Sequence, residues 1–246
     1  MGMSNYLSYG GILSSDYGIR ILDVNDQDKP QRDYTSVSIP GRKRDLHYDN
    51  GRYENINRVY KCVVYSGSQR TAEAAFDDFT AAMMRPKGYQ RIEDSMHQEY
   101  YKIGEFKGGT EPEFAAGTGK SVATFELTFD CDARKYLKAG ETQLTLAIGT
   151  NAITGQGTED AYPVFELTGN GYIEISGRRI TVENSPGTMI IDCELGDAYS
   201  KAAHTNYNQY ITVTGDGEFP VLTPGSNSIY VSGFTSRKMT ARWART

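Results

Sequence analysis

The residues best able to do chemistry begin with Gly117-Thr118-Gly119-Lys120-Ser121. This is the ending of a phosphate-binding loop, in which backbone amides cradle an anion and the lysine reaches the outer phosphates. The full motif needs a glycine five residues before Gly119, where Phe114 stands, and it must open a helix. Here it leads into an alternating strand, so the sequence predicts a flexible loop and no nucleotide cofactor. Asp23, Asn25, Asp26 and Asp28 loosely match the start of a calcium loop, but Asp28 and Tyr34 occupy the positions that need glycine and glutamate. A solvated turn is the reading. His47, His97 and His204 have no metal spacing among themselves or with the cysteines, and no nucleophile motif lies near them. Asp192 and Glu194 are two apart on a strand and share a face, which a glycosidase could use, although such pairs are frequent. Cys62, Cys131 and Cys193 are odd in number, widely spaced and set in apolar strand patterns, so they read as small buried hydrophobes. No catalytic, cofactor or metal site is predicted.

The elements that would position any site are mostly strands. Val122–Cys131 is the clearest, with Ala123, Phe125, Leu127, Phe129 and Cys131 alternating with polar residues. The β-branched and aromatic run from Arg58 to Tyr65 reads as a second strand. Between them lies one helix, because Ala72, Ala75, Phe76, Phe79, Ala82 and Met83 form a single apolar stripe opposite Glu73, Asp77 and Asp78. Ser68 or Thr71 can cap its start and Pro86 stops it. Such a helix belongs on a sheet, an α+β layout. Tyr89–Ile92 and Tyr100–Ile103 are further strand candidates, and Lys107–Gly119 is expected to be a long mobile loop. Residues 1–58 are polar and turn-rich, with Arg42, Lys43 and Arg44 forming a basic cluster that Asp45, Asp49 and Glu54 partly offset. That cluster reads as a solvated loop or a subunit contact.

Ala139-Gly140 marks a junction, giving an N-terminal domain over 1–138 and a C-terminal domain over 139–246. The second reads as Leu144–Ile148, Val164–Thr168, Tyr172–Ser176, Arg179–Val182, Thr188–Cys193, Tyr210–Val213, Ser228–Val231 and Lys238–Trp243. Short strands separated by turn signals at this spacing predict a β-sandwich, so the whole chain is expected to be mostly β. Sandwiches can carry sugars on aromatic platforms, and Tyr172, Tyr199, Tyr207, Tyr210 and Tyr230 are available. A carbohydrate-binding module is therefore the alternative reading. The single tryptophan, Trp243, is in phase with Met239 and Ala241 and reads as core filling.

A net charge of −5 and a pI near 5.3 argue against nucleic acid or an anionic membrane as the main partner. No apolar run approaches membrane-spanning length, and residues 1–20 lack the apolar core of a signal peptide, so synthesis in the cytoplasm is expected. Tyrosine is abundant, at 18 residues, which suits strand faces and protein interfaces.

One stretch, Gly217 to Gly233, sets Phe219 and Leu222 before a Pro224-Gly225 turn, with Asn227 leading into a strand where Ile229 and Val231 share a face. Its order of parts resembles the end of the distal tail proteins of long-tailed bacteriophages. The N-terminal half is similar to that family's ring domain in Gly10-Gly11-Ile12, Ser15-Asp16-Tyr17-Gly18-Ile19, Ile39-Pro40-Gly41-Arg42, the Arg85-Pro86 stop and Tyr89-Gln90-Arg91-Ile92-Glu93-Asp94. It continues in Phe125-Glu126-Leu127-Thr128-Phe129-Asp130-Cys131, after which Ala133 stands where the family usually has proline. The C-terminal half is similar to the family's galectin-like sandwich in Tyr162 to Gly171 and in Ile191-Asp192-Cys193-Glu194 with Ala198-Tyr199. The resemblance implies a non-enzymatic structural protein of a phage or prophage virion, located at the tail tip. It implies a homo-hexameric ring, built mainly by the N-terminal domain, that is the baseplate hub. The implied partners are the tail tube protein, the tail-tip fibre or tail-associated lysin and, in some phages, a receptor-binding protein. Closed heterologous contacts make such rings, and the interface candidates are Arg42, Lys43 and Arg44, together with the Lys107–Gly119 loop.

Overall fold

The computed structural model describes residues 5–26, 29–66, 69–118, 121–215 and 217–246. The chain divides into two units, Met1–Lys135 and Tyr136–Thr246, and it is mostly β, as expected.

The first unit contains β1 (Leu7–Tyr9), β2 (Ile12–Leu13), β3 (Ile19–Asp26), β4 (Arg32–Val37), β5 (Leu46–Tyr53), β6 (Ile56–Tyr65), α1 (Gln69–Met83), β7 (Gln90–Asp94), β8 (Tyr100–Gly109), β9 (Glu113–Phe114) and β10 (Val122–Cys131). Its main sheet runs β2-β1-β7-β8-β10-β6-β3, with β9 added to β10. The two strongest sequence patterns form its centre: β10 and β6 pair antiparallel over their full length, from Val122 opposite Tyr65 to Cys131 opposite Ile56. Alternation places Phe125, Leu127 and Phe129 beside Cys62, Tyr60 and Arg58 on the same inward face. The helix stripe lies on that face, with Ala72, Phe79 and Met83 buried and Phe76 edge-on to Phe125 at 4.8 Å. Thr71 is the third residue of the helix and so does not cap it, and Ser68 lies outside the described residues.

Two expectations need correction here. Lys107–Gly119 is not one long loop, because β8 continues to Gly109 and β9 pairs with Ala123 and Thr124. Glycine allows this: a side chain at Gly109 would meet the Glu126 carbonyl at 2.8 Å, and the register slips at Thr128/Phe129, opposite Gly108 and Phe106. In addition, β4 and β5 form a separate two-stranded sheet where only turns and short apolar pieces were expected.

The remaining strands are β11 (Lys135–Leu137), β12 (Gln143–Thr145), β13 (Gly149–Gly155), β14 (Val164–Thr168), β15 (Gly171–Ile175), β16 (Arg178–Val182), β17 (Thr188–Asp192), β18 (Asp197–Ser200), β19 (Ile211–Thr214), β20 (Gly225–Gly233), β21 (Ser236–Thr240) and β22 (Ala244–Arg245). In the second unit, one sheet runs β12-β21-β14-β17-β18 and the other β13-β20-β15-β16-β19. Phe165, Leu167, Met189, Ile191 and Met239 are buried on the first, and Ile173, Ile180, Ile229 and Val231 on the second. Each sheet thus buries one face, the pattern of a two-layer sandwich. The expected Leu144–Ile148 strand divides: Leu144 belongs to β12, and β13 begins only at Gly149. The Pro224-Gly225 turn is pinned by Asn227, whose buried amide accepts from Thr223 N–H at 2.9 Å and donates to Thr223 O at 2.8 Å. Trp243 is buried, as are all three cysteines.

Candidate functional site

The β4–β5 hairpin is a surface of unusual make-up. Its cross-strand register sets Thr35 opposite Tyr48 and Val37 opposite Leu46, so these four share one face. Nothing in the described chain covers that face: Val37 is 48%, Leu46 51% and Tyr48 70% exposed. The other face carries Tyr34 against His47, at 5.8 Å between ring centres. The two strands are held mainly by polar contacts: Arg52 with Asp33 at 2.7 Å, Asn50 to Asp33 at 2.9 Å and Arg32 with Asp49 at 3.3 Å. A two-stranded ribbon is marginal in water by itself, and an apolar stripe left open on it is a contact surface in want of a partner.

The tip joins Val37 to Leu46 through Ile39-Pro40-Gly41, where Arg42 N–H donates to Ile39 O at 3.1 Å and Gly41 takes a positive φ of 84°. Arg42, Lys43 and Arg44 follow, all exposed. None of their side chains has an ion-pair or hydrogen-bond partner among the described residues. Unpaired like charges at the end of a ribbon act at a distance, and an acidic surface would complement them.

The root of the hairpin is fixed by a buried ionic cluster. β3 enters it through Asp26 and β6 leaves it through Arg58, and these two residues are cross-strand partners. Arg58, only 2% exposed, donates from Nη1 to Asp26 at 2.6 Å, from Nη2 to Asp94 at 2.9 Å and from Nε to the Tyr60 hydroxyl at 2.8 Å. The Tyr60 hydroxyl in turn donates to Asp94 at 2.9 Å, and the backbone N–H groups of Met96 and His97 donate to its other oxygen. Burial alone would lower the Arg58 pKa and raise that of Asp94. Tyr60 and Asp26 reverse the first, and the Arg58 guanidinium and its hydrogen bond reverse the second, so both stay charged. Lys102, 1% exposed, is the weakly held member: its Nζ is 4.0 Å from Asp26 and 3.3 Å from the Ala133 carbonyl. Burial pulls its pKa down to about 8, against the opposing pull of Asp26.

The chemistry considered at the outset is not assembled. Gly119, Lys120 and Asp28 lie outside the described residues. Asp26 serves Arg58, and His97 Nδ1 lies 3.0 Å from Asp94. His47 is on the hairpin, and His204 stacks on Tyr199 at 5.6 Å. Asp192 and Glu194 are both engaged by Arg242, at 2.7 and 3.4 Å, and Asp192 also accepts from the Glu194 and Leu195 amides. Burial raises the cysteine pKa values, that of Cys131 to about 12. Among the described residues no group of His, Cys, Asp and Glu is placed to hold a metal ion, and no helix is long and apolar enough to cross a membrane. Of the five tyrosines, Tyr172 and Tyr230 stack at 5.7 Å, while Tyr207 meets Tyr210 edge-on at 5.3 Å.

No family model matches the sequence, and no curated protein matches it. Among solved structures, the chain is similar in fold to the Dit protein of phage SPP1, described as a paradigm of the hub adsorption apparatus of phages that infect Gram-positive bacteria. The TM-score is 0.71 at 10% identity, over 96% of this chain and 98% of that one. It is also similar to a chain of the phage P2 baseplate in its activated, calcium-containing conformation, with a TM-score of 0.55 at 10% identity over 99% and 98% of the two chains. The strontium form of that baseplate gives 0.51.

Proposed function

We propose that this chain is a structural hub protein of a phage or prophage tail tip. It assembles into a ring, hexameric in this reading, that joins the tail tube to the tail-tip fibre or tail-associated lysin and, in some phages, to a receptor-binding protein. The supporting observation is that likeness to a hub protein extends over both units and nearly the full length of both chains. The sequence motifs independently resemble the distal tail family, with the second unit as its galectin-like sandwich. The role is one of contact rather than catalysis, and a baseplate seated at the tail tip is where it acts.

The hairpin supplies a physical means of assembly. A rigidly rooted arm with an open apolar face and a basic tip is suited to lie on a neighbouring subunit in a head-to-tail contact, which closes into a ring when the rotation permits. The net charge of −5 leaves acidic surface for that tip to meet.

The test is a pair of variants, one reversing the tip (Arg42→Glu, Lys43→Glu, Arg44→Glu) and one removing the apolar anchors (Leu46→Ser, Tyr48→Ser). Both side-chain sets are exposed, so folding by circular dichroism should be unchanged while assembly is lost. Rings that form normally from both variants would remove the arm from the interface.

A further inference from the structure

The outward face of the β13-β20-β15-β16-β19 sheet has a composition that the hub role does not use. Cross-strand register places Thr150, Tyr230, Glu174, Arg179 and Thr214 in one row across all five strands. Tyr172, on the next row, sits diagonally between Tyr230 and Arg179. The Arg179 guanidinium lies 4.2 Å from the Tyr172 ring centre, and the Tyr230 ring lies nearly parallel to it, 22° apart, on the side of the neighbouring strand β20. The result is a stack of three planar groups, Arg179, Tyr172 and Tyr230, fixed on a sheet and ending in an open ring. Tyr230 is 42% exposed. Beyond it, the outward residues of β13 nearest the ring are Thr150 and Ala152, which are too small to cover it.

The polar groups around that ring are of one kind. Apart from the two tyrosines and the Glu174–Arg179 pair, every outward position of these strands is Ser, Thr or Ala. Arg179 donates from both Nε and Nη2 to the same Glu174 oxygen, at 2.9 and 2.6 Å. Nη1 of Arg179 and Oε1 of Glu174 therefore remain, among the described residues, without hydrogen-bond partners, as a donor beside an acceptor. The pair is neutral as a whole. The face accordingly has no net charge and is rich in hydroxyls, with an open aromatic ring at one end of the stack and a donor–acceptor pair at the other.

We propose that this face is a saccharide-binding site that takes successive neutral pyranoside units of a polysaccharide or oligosaccharide. A pyranose has one face of C–H groups, whose positive edges suit the negative face of the Tyr230 ring, and neighbouring hydroxyls that each both donate and accept. On the open side of that ring the Thr150 hydroxyl meets one unit, and the next unit, crossing over the tyrosines, meets Glu174 and Arg179 at the other end of the stack. A protein partner is disfavoured because the outward positions of these five strands carry none of the large aliphatic anchors of interface cores, the exposed Ile148 standing outside them, before β13. An anionic ligand is disfavoured because Glu174 neutralises Arg179.

The probe is an array of neutral oligosaccharides built on glucose, galactose, rhamnose and N-acetylhexosamines, with sialylated and sulfated glycans for contrast, applied to the full chain. Binding of one or more neutral structures is expected, falling at least tenfold in Tyr230→Ala and in Tyr172→Ala and several-fold in Glu174→Gln. All three side chains point outward, and unchanged circular dichroism will show that the variants are folded. Binding that survives the tyrosine substitutions, binding restricted to the anionic glycans, or no binding at all would overturn the proposal. Loss of ring assembly in Tyr230→Ala would do so as well, by making the face a protein contact.

Discussion

Replacing Lys102 by Met should stabilise the first unit, although it removes a buried, hydrogen-bonded charge. The reason is that this charge is poorly compensated. The fall in its pKa from the usual 10.5 to about 8 corresponds, at about 1.4 kcal/mol per pH unit, to about 3 kcal/mol spent holding it ionised at pH 7. Its loss orphans no carboxylate, since Asp26 keeps Arg58 at 2.6 Å. What is given up is two long contacts, to the Asp132 and Ala133 carbonyls at 3.5 and 3.3 Å, worth roughly 0.5–1 kcal/mol each. Methionine fills a similar volume. The expected net gain is about 1–2 kcal/mol at pH 7, within the range seen when buried ionic groups are replaced by apolar ones. Urea unfolding followed by far-UV circular dichroism would read this as a midpoint raised by roughly 0.5–1 M. Fluorescence of Trp243 reports the second unit separately. The pH dependence isolates the cause. Because the folded pKa lies below the unfolded one, the unfolded chain binds more protons between about pH 8 and 10.5, and wild-type stability rises with pH through that window. The variant lacks this rise, so its advantage should shrink as pH approaches 10.5. A variant less stable than wild type at pH 7, or an advantage that does not change with pH, would refute the reasoning.

Arg58→Met should do the opposite, destabilising the first unit by about 3–5 kcal/mol, because the buried Asp94 then loses its guanidinium partner; the same urea titration measures it. The lowered Asp94 pKa adds an acid limb: its contribution is complete above the unfolded value near 3.9 and is lost as pH falls through the folded one. Asp94→Asn should flatten that limb. The three buried thiols should resist a disulfide reagent at pH 8 in the native protein and react fully in denaturant, so fast native labelling would show that they are more accessible than described.

Where the chain buries one face against a neighbour, its sequence announced the structure. β10 alternates for its whole length, and the α1 stripe from Ala72 to Met83 repeats at helical spacing; both lie in the core. The β4–β5 hairpin did not show because, apart from Asp33 and Tyr53, its strands are exposed along their length among the described residues: residues 32–37 and 46–53 carry no period-two signal to read. The ionic cluster was missed for a different reason. Arg58, Asp94 and Lys102 are charged, and charge in a strand is ordinarily read as the solvent side. Parity held the missing signal, since Arg58 is in phase with Tyr60, Cys62 and Val64, and Asp94 with Ile92. The basic tip was legible as a cluster, but its place at the end of an arm depended on the pairing of β4 with β5. Tyr172 and Tyr230 were visible as tyrosines, whereas their meeting required the antiparallel register of β15 and β20.

The most direct test of the hub account is the absolute mass of the full chain by light scattering over a range of concentrations, alone and with the tail tube protein, with large species imaged in negative stain. The account predicts closed hexameric rings with a central hole, formed alone or on the tube protein. A species that stays at the monomer mass of 27.3 kDa at every concentration, with and without the tube protein, would contradict it.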